Sequence, residues 1–190
     1  MQKLIEEIRS CRVCEEHLPL GPRPILSMAP TSKIVIISQA PGRVVHENGV
    51  PWQDKSGNNL RRWLGVDNDV FYNTANFAIL PMGFCFPGTG KSGDLPPRKE
   101  CAPQWHSLLR PQLHSVQLTL LVGQYAQKYY LKDQREKNLT ETVRNFGRYL
   151  PAFFPLPHPS PRNNIWQKKN AWFLREVLPE LGRRVNEILY

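Results

Sequence analysis

No stretch of this sequence is apolar for long enough to cross a membrane, because none approaches the roughly 18 residues that a spanning helix needs. Residues 1–8 form an amphipathic pattern with two acidic residues, not a charged start followed by an apolar signal core. Internal repeats and low-complexity linkers are also absent. We therefore expect a cytoplasmic, monomeric protein with no membrane partner, folded as a single domain over residues 1–190.

Acidic residues are few compared with basic ones. The chain has 25 Lys and Arg against 16 Asp and Glu, which gives a net charge of +9. Such a balance suits a polyanionic partner, because each phosphate contact releases counterions and strengthens binding. Many basic soluble proteins bind no nucleic acid, so the charge alone does not decide the function. The 18 prolines argue against a helical bundle and predict long, ordered loops.

Cysteines are limited to four, at Cys11, Cys14, Cys85 and Cys101. Disulfides are disfavoured in the cytoplasm, and four thiolates are the ligand set of a tetrahedral zinc ion or a four-iron cluster. Zinc ribbons usually have two short Cys-x-x-Cys knuckles, and the second pair here has fifteen residues between its two cysteines. The spacing therefore favours an iron–sulfur cluster over zinc, and unrelated buried thiols are the remaining alternative.

The hydrophobic pattern predicts alternating strands and helices. Short apolar runs predict strands at residues 33–37, 71–80, 117–122 and 152–156. Helices are expected at residues 2–9, from Ser56, and at 99–110, 123–131 and 163–189, the last kinked or interrupted near Pro179. This order indicates an α/β fold, a three-layer α/β/α sandwich around a short, mostly parallel four-stranded sheet.

Ligands of such folds bind beyond the carboxyl ends of the strands, and this rule selects three segments. The sequence SQAPG (residues 38–42) follows the first strand, and HPSPRN (residues 158–163) follows the last. Asn73 and Asn76 belong to the second predicted strand. We expect these segments to converge on one rim, with Trp52 close to the first of them.

These segments resemble the motifs of the uracil-DNA glycosylase superfamily. SQAPG is similar to its first motif, GVPW (residues 49–52) to the Gly-x-Pro-aromatic segment downstream, and HPSPRN to the second motif of its single-strand-selective branch. The order and spacing of the four cysteines resemble the iron–sulfur branch. The resemblance implies an enzyme that hydrolyses the N-glycosidic bond of uracil, or a related deaminated base, in DNA and leaves an abasic site.

The resemblance also implies roles for individual residues in base excision. His158 would donate a hydrogen bond to a uracil carbonyl as negative charge develops there. Asn76, with Asn73 as the alternative, would read the base edge, because an amide offers both a donor and an acceptor. Trp52 would stack on the flipped base. Some family members carry an acid in the first motif, where this chain has Gln39, so Gln39 would orient the attacking water, with Asp54 as a substitute.

The remaining implied contacts concern the DNA backbone and the cysteines. Backbone amides around Ala40, Pro41 and Gly42 would add contacts to the base. Ser160, Arg162, Lys91 and Arg98 would contact the DNA backbone, and the cluster bound by the cysteines would be structural. Two other interpretations of the sequence stay open. One is a catalytically silent nucleic-acid-binding module with a structural metal or iron–sulfur cluster, and the other is an iron–sulfur electron carrier.

Overall fold

The computed structural model describes residues 1–91 and 93–190, and its centre is a four-stranded sheet with strand order β2-β1-β5-β6 in which every pairing is parallel. The separate strands β3 and β4 pair as a short antiparallel hairpin. The six strands are β1 (Ile34–Ile37), β2 (Phe77–Ile79), β3 (Thr89–Gly90), β4 (Gly93–Asp94), β5 (Leu118–Val122) and β6 (Phe153–Leu156).

Helices cover both faces of this sheet. They are α1 (Gln2–Arg9), α2 (Arg43–Asn48), α3 (Lys55–Leu64), α4 (Asn68–Tyr72), α5 (Cys101–Leu109), α6 (Gln124–Leu131), α7 (Leu139–Arg144), α8 (Asn164–Lys169) and α9 (Leu178–Leu189). No helix in the described part of the chain is long and apolar enough to cross a membrane.

Strand β1 shows how the sheet forms two cores. Ile34 and Ile36 belong to one hydrophobic cluster, together with residues of α3, α7 and α9, whereas Val35 and Ile37 belong to the other, with residues of α1, α5 and α6. Successive side chains of a strand point to opposite faces, so a strand buried on both faces reads as a continuous apolar run. The predicted α/β sandwich is confirmed.

One expectation about secondary structure is wrong, and one about the C-terminal helix is met. Residues 71–80 do not form one strand, because Asp67 caps α4 by accepting a hydrogen bond from the Val70 N–H at 2.8 Å, and β2 begins only at Phe77. The expected interruption near Pro179 takes the form of a five-residue π-helical segment at Phe173–Val177, which leads directly into α9 with Pro179 in its first turn. Proline has no N–H to donate to the preceding turn, and π-helical turns are a common accommodation inside helices.

The chain order of the strands positions the candidate site. The chain passes from β1 to β2 on one side of the sheet and then crosses to β5 on the other side, so the order reverses between β1 and β5. In open α/β sheets, ligands bind at such a reversal, outside the carboxyl ends of the strands. The segments 38–42 and 157–163 follow β1 and β6 at this edge.

Candidate active site

A cavity of about 480 Å³ opens at the carboxyl edge of the sheet. Its volume lies in the range of small-molecule sites. Nine of the residues to which the sequence assigned a role line this cavity: Gln39, Ala40, Pro41, Gly42, Trp52, Asp54, His158, Ser160 and Arg162. Two of the three segments expected to meet, residues 38–42 and 158–163, therefore converge here with Trp52 beside them, whereas the segment of Asn73 and Asn76 does not.

His158 is held by hydrogen bonds within its own loop. The Ser160 backbone N–H donates to His158 Nδ1 at 3.2 Å, so Nδ1 is an acceptor and the neutral ring carries its proton on Nε2. The Asn163 side-chain amide donates to the His158 carbonyl at 2.7 Å. Burial lowers the pKa of His158, while the charge of Asp54 acts in the opposite direction. The loop thus presents a neutral imidazole with an Nε2–H donor.

Trp52 forms a buried wall of the cavity next to His158. The two ring centroids are 5.8 Å apart with the planes inclined by 32°. Trp52 has a φ of 60°, an unusual left-handed conformation for a non-glycine residue. Its carbonyl accepts a hydrogen bond from Arg61 Nη1 at 3.2 Å and lies directly against Gly57, where an added Cβ would be 1.7 Å away. A glycine at position 57 is therefore required for this wall.

Two carboxylates line the cavity, at Asp54 and Asp94. Asp54 caps α3 by accepting a hydrogen bond from the Gly57 N–H at 2.8 Å. Asp94 ends strand β4 and lies against the first-motif loop, where a Cβ added at Gly42 would be 3.1 Å from its Oδ2. Partial burial raises the pKa of the Asp94 carboxyl; the charge of Arg162 lowers it, and that of Asp54 raises it.

The β3–β4 hairpin brings Asp94 to the site, and two of the residues predicted to contact DNA, Arg162 and Lys91, lie against it or in its turn. A Cβ added at Gly93, which has a φ of 136°, would lie 2.5 Å from Arg162 Nη1, so Arg162 packs against the hairpin. Lys91 is exposed in the turn between β3 and β4. Gln39 Nε2 donates a long hydrogen bond of 3.4 Å to the Leu95 carbonyl and so joins the hairpin to the first-motif loop.

Asn73 and Asn76 do not line the cavity, contrary to expectation. Both precede β2 and lie at its amino end, whereas the cavity opens at the carboxyl end. Asn73 Oδ1 accepts a hydrogen bond from the Ala75 N–H at 2.9 Å, and the Asn76 amide donates to the Val70 carbonyl at 3.1 Å. These are turn and cap interactions. At the carboxyl end of β2 the cavity is lined by Ile79, the last residue of the strand, and by Pro81, neither of which carries a side-chain amide.

The four cysteines lie together around a small, largely apolar cavity on the α5 side of the sheet. All are free thiols. Burial raises the pKa of Cys85 to about 11 and that of Cys101 to about 12, and neighbouring cysteines contribute to both shifts. The Phe84 N–H donates to Cys101 Sγ at 3.4 Å, a hydrogen bond that favours a thiolate. Among residues 1–91 and 93–190, no three potential ligands converge as a site for a single metal ion.

Arg98 lies at this cysteine cavity, where it contacts Cys14 and pairs with Glu100 at 2.9 Å, instead of extending toward the candidate site. Its Nε is buried and has no hydrogen-bond partner among the residues that the structure describes. Burial raises the pKa of Cys14, and the hydrogen bond from Arg98 acts in the opposite direction. The chemistry of the set fits a thiolate-bound group, because four thiols and one guanidinium surround one enclosed space.

Sequence reasoning missed Asp94 entirely, because its approach to Gly42 depends on a two-residue hairpin that apolar periodicity does not reveal. It also missed Asn163 as a support for His158, although the residue lies within the second motif.

A comparison with protein-family models matches residues 27–182 to the family described as "Uracil DNA glycosylase superfamily".

Proposed function

Because the chain belongs to the uracil DNA glycosylase superfamily, we propose that it is a DNA repair glycosylase that hydrolyses the N-glycosidic bond of uracil, or of a related deaminated base, and leaves an abasic site. The observation that carries the proposal is the convergence of His158, Trp52 and the first-motif loop on one cavity. Enzymes that act on a base inside DNA extrude it into such a pocket and hold it there by stacking and hydrogen bonds.

His158 acts on the leaving base. As the C1′–N1 bond breaks, its electron pair departs with the base, and negative charge grows on the base carbonyl oxygens. The Nε2–H donor of His158 stabilises this charge, and a donor that is already oriented needs no reorganisation during the reaction. Because burial lowers the pKa of His158, the ring stays neutral at pH 7.

Trp52 holds the flipped base by stacking, an interaction worth roughly 1–3 kcal/mol for a base on an aromatic ring. The base edge needs a group with both a donor and an acceptor, and Gln39 provides one in this cavity. Its hydrogen bond to the Leu95 carbonyl is long, at 3.4 Å. Replacing this weak bond by a hydrogen bond to the base therefore costs little free energy. Gln39 therefore takes the reading role that the sequence assigned to Asn76.

Asp94 supplies the carboxylate that the first motif lacks. It lies against Gly42 of that motif, on an element distant in sequence. Its ionised form accepts a hydrogen bond from water and directs the water oxygen to C1′, and the proton released passes to the carboxylate and then to solvent. The departed base anion takes a proton from solvent. Asp54 uses one oxygen as a helix cap and so is the less available of the two acids.

The cysteines hold a four-iron cluster in this proposal, with zinc as the alternative. In a zinc site each sulfur lies about 2.3 Å from one ion, so three or more ligands must point at one spot. The four thiols surround one small cavity, and the fifteen residues between Cys85 and Cys101 do not form the second short knuckle of a zinc ribbon, which favours the cluster. The cluster would contribute its binding energy to the folded state and fix residues 85–101, the segment that carries the β3–β4 hairpin.

Base excision from oligonucleotides tests the proposal. The protein is incubated with single- and double-stranded DNA carrying one uracil or one hypoxanthine, and abasic sites are revealed by alkaline cleavage. We expect cleavage by the wild type and a loss of about 10²-fold or more in His158→Ala, the effect of removing one oriented donor. If the wild type binds DNA and yields no abasic site from any of these substrates, the chain is a silent binding module and the proposal fails.

A further inference from the structure

A second groove, of about 870 Å³, lies between the segment that enters α5 and the exposed side of α6. We call it the α5–α6 groove. It is distinct from the candidate active site, because the residues that line the two do not overlap. Its apolar floor includes Met82, Ala102 and Phe153, and prolines 96, 97 and 103 form much of its rim.

The charge of the α5–α6 groove has one sign. Among the described residues, five that line it are basic and none is acidic; the basic ones are Arg98, Lys99, Arg110, Lys128 and Lys132. Arg98 pairs with Glu100, and Arg110 lies over the ring of Tyr130, 5.0 Å from its centroid. The three lysines are exposed, and none takes part in an ion pair in the part of the chain that the structure describes. Such a groove attracts a polyanion.

Aromatic rings accompany these charges. Tyr125 and Tyr129 both line the α5–α6 groove, and Tyr129 is 37% exposed although it is a large ring. Tyr129 is held edge-on against Tyr130, with ring centroids 5.1 Å apart. Proteins that bind single-stranded nucleic acid combine a basic groove for the backbone with aromatic side chains on which bases stack. An acidic peptide would satisfy the lysines but would offer no flat rings to the tyrosines.

The α5–α6 groove also lies close to the candidate active site along the chain. Pro81 lines the active-site cavity and the next residue, Met82, lines the groove; Asp94 lines the cavity, and Pro96, two residues further along, lines the groove. Neighbouring Cα atoms are only about 3.8 Å apart. One strand crossing the β3–β4 hairpin could therefore contact both surfaces.

We propose that the α5–α6 groove binds a single-stranded segment of nucleic acid, with its phosphates on Lys99, Lys128 and Lys132 and a base on Tyr129. The groove reads no particular base, since lysines contact phosphate and every base has a face that stacks. Its occupant is the single-stranded flank of the same strand that enters the active site. The binding itself does not depend on excision.

Binding of a labelled oligothymidylate of about 20 nucleotides, free of uracil, tests the proposal over a range of salt concentrations. Lys128→Gln/Lys132→Gln should weaken binding about tenfold near physiological salt and reduce the slope of log K against log[salt] by roughly 1.4, the value for two phosphate contacts to a single strand. Tyr129→Ala should also weaken binding about tenfold but leave the slope unchanged, because stacking releases no counterions.

The matched control removes two exposed charges elsewhere, in Lys137→Gln/Arg175→Gln. Lys137 precedes α7 and Arg175 lies in the π-helical segment, on elements that pack against the other face of the sheet. This control should keep the wild-type affinity. The proposal is overturned if the control loses as much affinity for oligothymidylate as the groove variant does. It is also overturned if the groove substitutions weaken the binding of blunt duplex DNA as much as that of the single strand. The third contradicting result is polyglutamate competing for the protein as well as the oligonucleotide does.

These outcomes are separable from those for glycosylase activity. If wild type excises no base but the groove variant binds oligothymidylate more weakly than wild type, the groove proposal is supported and the glycosylase proposal is refuted. If wild type excises uracil and all variants bind oligothymidylate equally well, the glycosylase proposal is supported and the groove proposal is refuted.

Discussion

Replacing Gly57 by alanine should disable the active site through the backbone of Trp52. Gly57 lies in the first turn of α3, and an added Cβ would be 1.7 Å from the Trp52 carbonyl oxygen and 2.6 Å from its carbonyl carbon. Real Cβ contacts essentially never fall below 3.0 Å, so the Trp52 carbonyl and Cβ must separate by a further 1.3 Å. Because the obstacle is backbone, no side-chain rotation relieves it.

The expected cost follows from this displacement. Trp52 is buried, its ring lies 5.8 Å from that of His158, and its carbonyl accepts a hydrogen bond from Arg61. A shift of about 1 Å in a positioning group can lower a rate by about 10²-fold. We therefore expect Gly57→Ala to reduce single-turnover uracil excision by about two orders of magnitude. Urea unfolding and tryptophan fluorescence, measured in parallel, would show that the variant is folded.

Gly182→Ala is the matched control for this variant. Gly182 lies within α9, and a Cβ added there meets nothing within 4 Å. Alanine is favoured over glycine in a helix by about 1 kcal/mol, so this variant should be more stable and fully active. A folded Gly57→Ala protein that excises uracil at the wild-type rate would refute the role of Trp52 in the active-site wall.

Three further predictions concern acids, a buried histidine and the cysteines. Asp94→Asn should lower the rate of excision by about 10²-fold. Wild type requires an ionised carboxylate whose pKa is raised by burial, so its activity should fall on acidification, whereas the activity of the variant should depend less on pH. A variant with the same pH–rate profile as wild type would contradict this role. Burial lowers the pKa of His106 to about 4, so the protein should lose roughly 3 kcal/mol of stability as pH falls from 6.5 to 4, and urea titrations of His106→Gln should show a smaller loss. Cys101→Ser should abolish visible absorption near 400 nm in the purified protein and lower its melting temperature, and an equally coloured variant would exclude the cluster.

The sequence predicted the sheet well because its strands are buried on both faces. Residues 33–37 and 117–122 read as unbroken apolar runs, and β1 and β5 form the centre of the sheet. The motif segments also converge as expected, since strand order and the carboxyl-edge rule depend on topology more than on detailed packing. Even the helix boundaries near Lys55 and Gln124 follow from local patterns.

What the sequence did not reveal comes from local hydrogen bonds and from long-range contacts. Asp67 and Asn73 form side-chain hydrogen bonds to nearby backbone, and these replace the strand that the apolar residues 71–80 suggested. As a result, Asn73 and Asn76 lie at the wrong end of β2 for a base reader. The approach of Asp94 to Gly42 and the turn of Arg98 toward Cys14 depend on tertiary packing, which no residue spacing encodes.

Direct identification of both reaction products is the measurement that tests the central claim. An equimolar mixture of the protein with a single-uracil oligonucleotide is sampled over time, and mass spectrometry follows free uracil and the residual DNA strand. We predict that wild type releases uracil and leaves an intact strand with one alkali-labile abasic site, and that His158→Ala releases far less. Intact uracil-containing DNA in complex with the wild-type protein, on both single and double strands, would contradict the account.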